Sequence, residues 1–189
     1  MNVMSVILTA IIGGNIVLTQ FVDITLLRNL RKLDVAFFVG MFMIDITLVS
    51  GLIFYGMYHL VLVPMDLTFL SFLSSVMIIA LVSQGEWWVL KRFFPKWHET
   101  YGFYFPLLTT NAVITFVLMS FITSNLSLWD VVVSSLAVPF GFVMINMLMV
   151  IYQERLDRTS RIPAPFQGLS ITLIILALIA MGLIGLGGL

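Results

Sequence analysis

Lys91-Arg92-Phe93-Phe94-Pro95-Lys96 interrupts a chain that is otherwise almost free of positive charge. Two other places do the same. Arg28, Arg31 and Lys32 form one, and Arg155, Arg158 and Arg161 the other. These three clusters hold all nine Lys and Arg residues. Between and beside them lie six apolar stretches, at residues 3–27, 35–63, 67–90, 102–122, 128–152 and 166–189. A hydrocarbon core of ~30 Å needs about 20 helical residues, so each stretch is long enough to cross. Six crossings put the three clusters in alternate loops, all on one side of the membrane. Cytoplasmic loops retain Lys and Arg, so that side is the cytoplasm and both termini lie on the other side.

Composition agrees. Hydrophobic residues make up 61% of the chain and charged residues 10%. A chain of 189 residues cannot bury that much apolar surface in its own core, so lipid must cover the rest. The formal net charge is zero, which provides no field to steer nucleic acid. The first stretch has no basic segment before it and outruns a signal h-region, so it is read as a span. Cysteine is absent, which excludes disulfides and thiolate metal sites.

The expected fold is an all-α membrane protein with six transmembrane helices in one domain, residues 1–189. The gaps on the non-cytoplasmic side are short. Pro64-Met65-Asp66 joins stretches two and three, and Asn125-Leu126-Ser127 joins four and five, so both read as tight helical hairpins. Trp87, Trp88, Trp97, Tyr101 and Tyr104 flank the second basic cluster as an interfacial aromatic belt. The two halves, 1–96 and 97–189, each hold three spans. Gly14-Asn15-Ile16-Val17 and Thr110-Asn111-Ala112-Val113 fall at matching places in them. Repeats of three spans insert with opposite orientations, the inverted-repeat arrangement of many transport proteins.

Stretches one and four are the irregular ones. Gly13-Gly14-Asn15 interrupts the first, and Pro106 with Thr109-Thr110-Asn111 the fourth. Irregular backbone at membrane depth must be shielded by protein or line a wet cavity. Both stretches are candidates for broken or re-entrant helices, with close helix packing through small residues as the alternative.

The polar residues inside the apolar stretches are the candidate sites. Asp45 is costly at that depth and must meet protein, water or a proton. It reads as a cation or proton site, or as a hydrogen-bonded carboxyl that specifies packing. Asp23 lies near Arg28 and reads as its ion-pair partner. Glu86 stands about one turn from Lys91, which suggests an interfacial ion pair. Asn15 and Asn111 suit helix breaks, because an amide side chain satisfies free backbone groups; direct ion contact is the second reading for both. Asn146 and Pro139 mark interhelical bonding and a kink. His59 and His98 belong to opposite faces and cannot share a metal. The twelve methionines read as packing residues. No catalytic set, phosphate loop or metal motif is visible, and no loop is long enough for an active site.

Phe105-Pro106-Leu107-Leu108-Thr109-Thr110-Asn111 resembles a motif of the Rnf/Nqr membrane-subunit family, on the side of its RnfA and NqrE members. Asn15-Ile16-Val17-Leu18-Thr19-Gln20-Phe21, Glu154-Arg155-Leu156, Pro163-Ala164-Pro165-Phe166-Gln167-Gly168 and the glycine-rich end from Gly182 to Gly188 extend the likeness along the whole chain. The resemblance implies a six-span subunit of a prokaryotic inner-membrane, ion-translocating electron-transport complex. It implies pairing with a sister subunit of opposite topology, alongside other complex subunits. In the family, two cysteines of each subunit help hold an iron–sulfur cluster in the membrane. Those positions here read Thr25 and Ala112, a poor ligand and a residue with no donor. The expectation is therefore a non-catalytic subunit that scaffolds partners and shapes the ion or electron route. It binds no cofactor or metal by itself, and flavin or iron–sulfur groups sit in partner subunits. The alternative is a cysteine-free relative acting as a small transporter or membrane scaffold with no redox role. The family also tends to carry a glutamate at the place of Glu86.

Overall fold

A computed structural model describes residues 33–124, 127–159, 163 and 168–187. The first apolar stretch and the first basic cluster, up to Lys32, lie outside the described residues, as does Arg161. Every element described is helical. In lipid no water is available to backbone amides, and a helix satisfies them within its own segment.

Helix α1 (Leu33–Met57) has Asp34 in its first turn, where a carboxylate favours the positive end of the helix dipole. It continues through one π turn, Tyr58–Leu62, to give an apolar span of 30 residues. Pro64 cannot donate to continue the ladder. Asp66, at φ 55°, reverses the chain; an Asp tolerates this left-handed conformation better than most residues. A 3₁₀ turn at Thr68–Leu70 then opens α2 (Ser71–Phe93). The tight hairpin expected at Pro64-Met65-Asp66 is present. Ser74 and Ser75 of α2 bond back to the carbonyls of Leu70 (2.9 Å) and Phe72 (2.7 Å), so their hydroxyls cost little in an apolar setting.

Pro95 ends α2. The residue before a proline is pushed toward extended backbone, and Phe94 sits at φ −132°, ψ 65°. Pro95 then occupies the start of α3 (Pro95–Tyr101), where its missing N–H is harmless. A 3₁₀ turn, Gly102–Tyr104, leads to α4 (Phe105–Thr109). After Thr110 and Asn111 comes α5 (Ala112–Thr123). The segments Pro95–Thr109 and Ala112–Thr123 meet at a bend of 45°. The fourth stretch is therefore broken where Thr109-Thr110-Asn111 suggested. Helices α6 (Leu128–Thr159) and α7 (Leu169–Gly187) complete the described chain.

Two boundaries differ from the hydropathy reading. Helix α6 runs past residue 152 to Thr159, so Arg155 and Arg158 ride on a helix and not in a loop. Lys91 and Arg92 fall in the last turn of α2, and Lys96 in α3. Apolarity marks where lipid ends, but backbone hydrogen bonding carries a helix beyond that point.

Helices α1, α2 and α6 are long and apolar enough to cross a membrane. The most extensive packing joins α1 to α6. Glycines permit it. A Cβ at Gly51 would lie 2.7 Å from Ser135 Oγ and 3.2 Å from the Phe121 ring. Around this seam Ala36, Met43, Ile46, Phe54, Phe142, Ile145 and Met149 are fully buried. Lipid tails are as apolar as leucine, so this seam is held by close packing and not by exclusion of water. Asn146 departs from expectation. It is buried in this core, yet neither amide atom has a hydrogen-bond partner among the described residues. Helix α6 continues through Pro139.

Candidate functional site

The break between α4 and α5 is built by three polar side chains in succession. Thr109 Oγ1 donates to the Phe105 carbonyl (3.1 Å) and Thr110 Oγ1 to the Pro106 carbonyl (3.3 Å). Each hydroxyl bonds back four residues to a carbonyl of its own turn, so neither is left without a partner in an apolar setting. Asn111 has extended backbone, at φ −72°, ψ 120°, and caps α5. Its Oδ1 accepts from the amides of Val113 (2.9 Å) and Ile114 (3.3 Å). Its Nδ2 points at Met43 Sδ on α1, 4.0 Å away. Asn111 is fully buried.

Met43 stands ten residues into α1 from Leu33, so it lies about 15 Å along that helix at 1.5 Å per residue. That is half the thickness of a ~30 Å hydrocarbon core. The break, which touches Met43, thus lies within the length of the apolar span Leu33–Leu62. Thr110 and Ala112 are exposed on it, while Val113 and Ile114 turn into the core. Ala112, the described one of the two positions where the resemblance implies cluster cysteines, offers a methyl group outward from the start of α5. With no donor atom there and no cysteine anywhere in the chain, the residues do not fit an iron–sulfur cluster.

A second polar group lies between α1 and α2. Asp45 is exposed, within an outward stripe of α1 that otherwise reads Phe37, Met41, Val49 and Leu52. Glu86 is carried by α2, which packs against α1. Both carboxylate oxygens of Glu86 are shielded and have no hydrogen-bond partner among the described residues. The expected Glu86–Lys91 pair does not form. Lys91 Nζ lies instead over the Trp87 ring, 5.0 Å from its centroid, a cation–π contact that draws the lysine away from Glu86. Ser83, one turn before Glu86 on the same face, is 1% exposed, and its Oγ is also unpartnered among the described residues. Sequence reading missed Ser83. The signal was its i, i+3 spacing from Glu86, hidden in a helix rich in serine.

The other candidates separate. Asn15, Asp23 and Thr25 lie outside the described residues. His59 stacks on Tyr55 (4.4 Å) beside the α1–α2 hairpin, and His98 meets Trp87 (5.0 Å) at the far end of α2. Among the described residues, no three His, Asp or Glu side chains converge as a metal site would require.

Comparison with known proteins gives a consistent answer. The sequence model of a family described as "Rnf-Nqr subunit, membrane protein" matches residues 3–189. The chain is 28% identical over 186 residues to the A subunit of the proton-translocating ferredoxin:NAD(+) oxidoreductase complex of Clostridium ljungdahlii, covering 98% of this chain and 96% of that protein. It is 29% identical to the A subunit of the ion-translocating oxidoreductase complex of Rhodobacter capsulatus, covering 97% and 95%. The protein of the same description in Erwinia tasmaniensis is 27% identical over 95% of this chain and 93% of its own length.

Proposed function

This chain belongs to the Rnf-Nqr family of membrane subunits, and from that membership we propose that it is a membrane subunit of an ion-translocating electron-transport complex. The observation that carries the reading is the end-to-end match to proteins described as components of such complexes. Its role there is to hold partner subunits and to shape the ion route. The chain contributes no redox group, because Ala112 has no donor and cysteine is absent. Flavin or iron–sulfur groups belong to the partners. Among these is a sister subunit of opposite topology, which meets the exposed side of the break at Thr110 and Ala112. The chain resides in a prokaryotic inner membrane, with its basic clusters in the cytoplasm and both termini on the other side. Its six spans form two inverted three-helix halves.

The residues that would meet the ion are Asp45 and Glu86. Two neighbouring carboxylates repel unless a cation or a proton lies between them. An intramembrane acid is by default part of an ion or proton path. Asn111 has the structural part of capping the break.

A second reading is favoured by one specific observation, the methyl group at Ala112 where the resemblance implies a ligand. On that reading the chain is a transporter or membrane scaffold with no redox role. Gentle-detergent purification from the native host separates the two. Co-purification with an opposite-topology sister, together with stoichiometric flavin and iron in the partners, is the expected result. Recovery of the chain alone, or with transport proteins that lack redox groups, establishes the second reading.

A further inference from the structure

Where α2 ends and α3 begins, the chain makes an elbow whose two sides differ. The inner side is fixed by aromatic packing. Phe38 of α1 stacks on Tyr101 at 3.9 Å and meets Trp97 edge-on at 5.1 Å. Trp87 packs edge-on against His98 at 5.0 Å and carries Lys91 over its face. These contacts hold α3 against α1 and α2, so the elbow has one geometry.

Arg92 and Lys96 flank the elbow, one on each helix, and both are exposed. Arg92 lies 21 residues past Ser71, so about 32 Å separate the two along α2. That is one hydrocarbon thickness, which puts Arg92 and Lys96 at the level of lipid headgroups. Below Arg92 runs an outward stripe of α2. Met77, Leu81 and Trp88 on it are 58%, 70% and 61% exposed. Gly85 falls between Leu81 and Trp88, and a Cβ there would meet nothing within 4 Å. The stripe therefore has an open notch at Gly85, between Leu81 and Trp88 along the helix and below Arg92. Glu99 of α3, three residues after Lys96, offsets part of the charge and leaves the elbow cationic.

We propose that this elbow binds an anionic phospholipid, with its phosphate between Arg92 and Lys96 and one acyl chain laid in the notch at Gly85. Charge selects the headgroup, since a basic residue near the membrane surface attracts anionic lipid by about a factor of five. Apolar surface selects the chain. A free phosphate lacks the chain, and a zwitterionic lipid brings beside its phosphate a cation that the two basic side chains repel. The fixed inner side keeps the two halves in register, as a preformed site requires.

Native mass spectrometry of the full chain in mild detergent, titrated with phosphatidylglycerol or phosphatidylcholine, tests this. Wild type should retain phosphatidylglycerol in preference to phosphatidylcholine. Arg92→Gln with Lys96→Gln should lower its affinity by about thirtyfold, whereas Arg92→Lys with Lys96→Arg should keep it. Gly85→Leu should weaken both lipids and leave their ratio unchanged. Arg155→Gln, a single exposed cation on α6, should cost no more than the roughly fivefold that any one surface cation contributes. Each variant is first matched to wild type by circular dichroism and by thermal unfolding, so that a folding defect is not read as lost binding. Equal retention by the neutralised pair overturns the proposal. So does displacement by inorganic phosphate as effective as by phosphatidylglycerol, or photocrosslinking from position 88 to a protein and not to lipid in native membranes.

Discussion

Gly40 of α1 lies so close to Val143 of α6 that a methyl group added at Gly40 would fall 2.6 Å from Val143 Cγ2 and 2.7 Å from Cγ1. Both branches of the valine are involved, and a β-branched side chain in a helix has one strongly preferred rotamer. It cannot turn aside. The contact fixes how near the two spans approach.

Gly40→Ala is therefore expected to destabilise the folded protein by about 1–3 kcal/mol, the usual cost of overpacking. Gly56→Ala, where nothing lies within 4 Å, should be neutral or slightly stabilising. Val143→Ala should rescue Gly40→Ala. Denaturant titration in mixed micelles, following helicity, reads all three. Equal stability of the Gly40 and Gly56 variants would show that the α1–α6 approach is looser than described.

Asn111→Ala removes the acceptor for two α5 amides. Loss of a helix N-cap costs about 1 kcal/mol, and burial leaves those amides no water to turn to. Asn111→Ser keeps a capping acceptor without introducing a charge and should retain most of the stability. If the alanine variant unfolds at the wild-type denaturant concentration, the cap is not what holds the break.

Glu86→Gln should leave the complex assembled and impair its ion-coupled activity. Asp45→Asn should do the same to a smaller degree, because Asp45 is the exposed member of the pair. Electron transfer between soluble donor and acceptor, measured with the ion gradient collapsed, should change little in either variant. Unaltered ion transport in a well-assembled Glu86→Gln complex would remove these two residues from the ion route.

A reporter fused after Leu189 should read as external to the cytoplasm, and one inserted near Thr159 as cytoplasmic. The segregation of basic residues predicts this. A cytoplasmic C-terminus would contradict both the orientation and the number of spans.

Much of this architecture can be read from residues alone, and for a physical reason. Lipid imposes a strict length and apolarity on each span, so α1, α2 and α6 follow from composition. The break at Asn111 is legible because Pro106, two threonines and an amide side chain in an apolar run have few other uses. What escapes sequence is decided by neighbours. The spacing of Glu86 and Lys91 suggests a pair, but Trp87 takes the lysine. Asn146 has the chemistry of an interhelical bond, yet no side chain among the described residues partners its amide. The run of α6 through Arg155 and Arg158 follows from helix continuity beyond the lipid boundary, which hydropathy does not measure.

Several hydrogen bonds at the break between α4 and α5 are made within its own segment. Thr109 and Thr110 bond to carbonyls within α4, and Asn111 caps α5. None of these bonds requires another helix, so the segment from Phe105 to Thr123 can enter the bilayer already bent during biosynthesis. Membrane proteins assemble by inserting helices first and packing them afterwards. A bend that waited on a partner would leave open amides in hydrocarbon during that interval, at several kcal/mol each. The bonds of Thr109, Thr110 and Asn111 can form in advance of that packing. The irregular element can therefore serve as a template against which α1, through Met43, takes its depth.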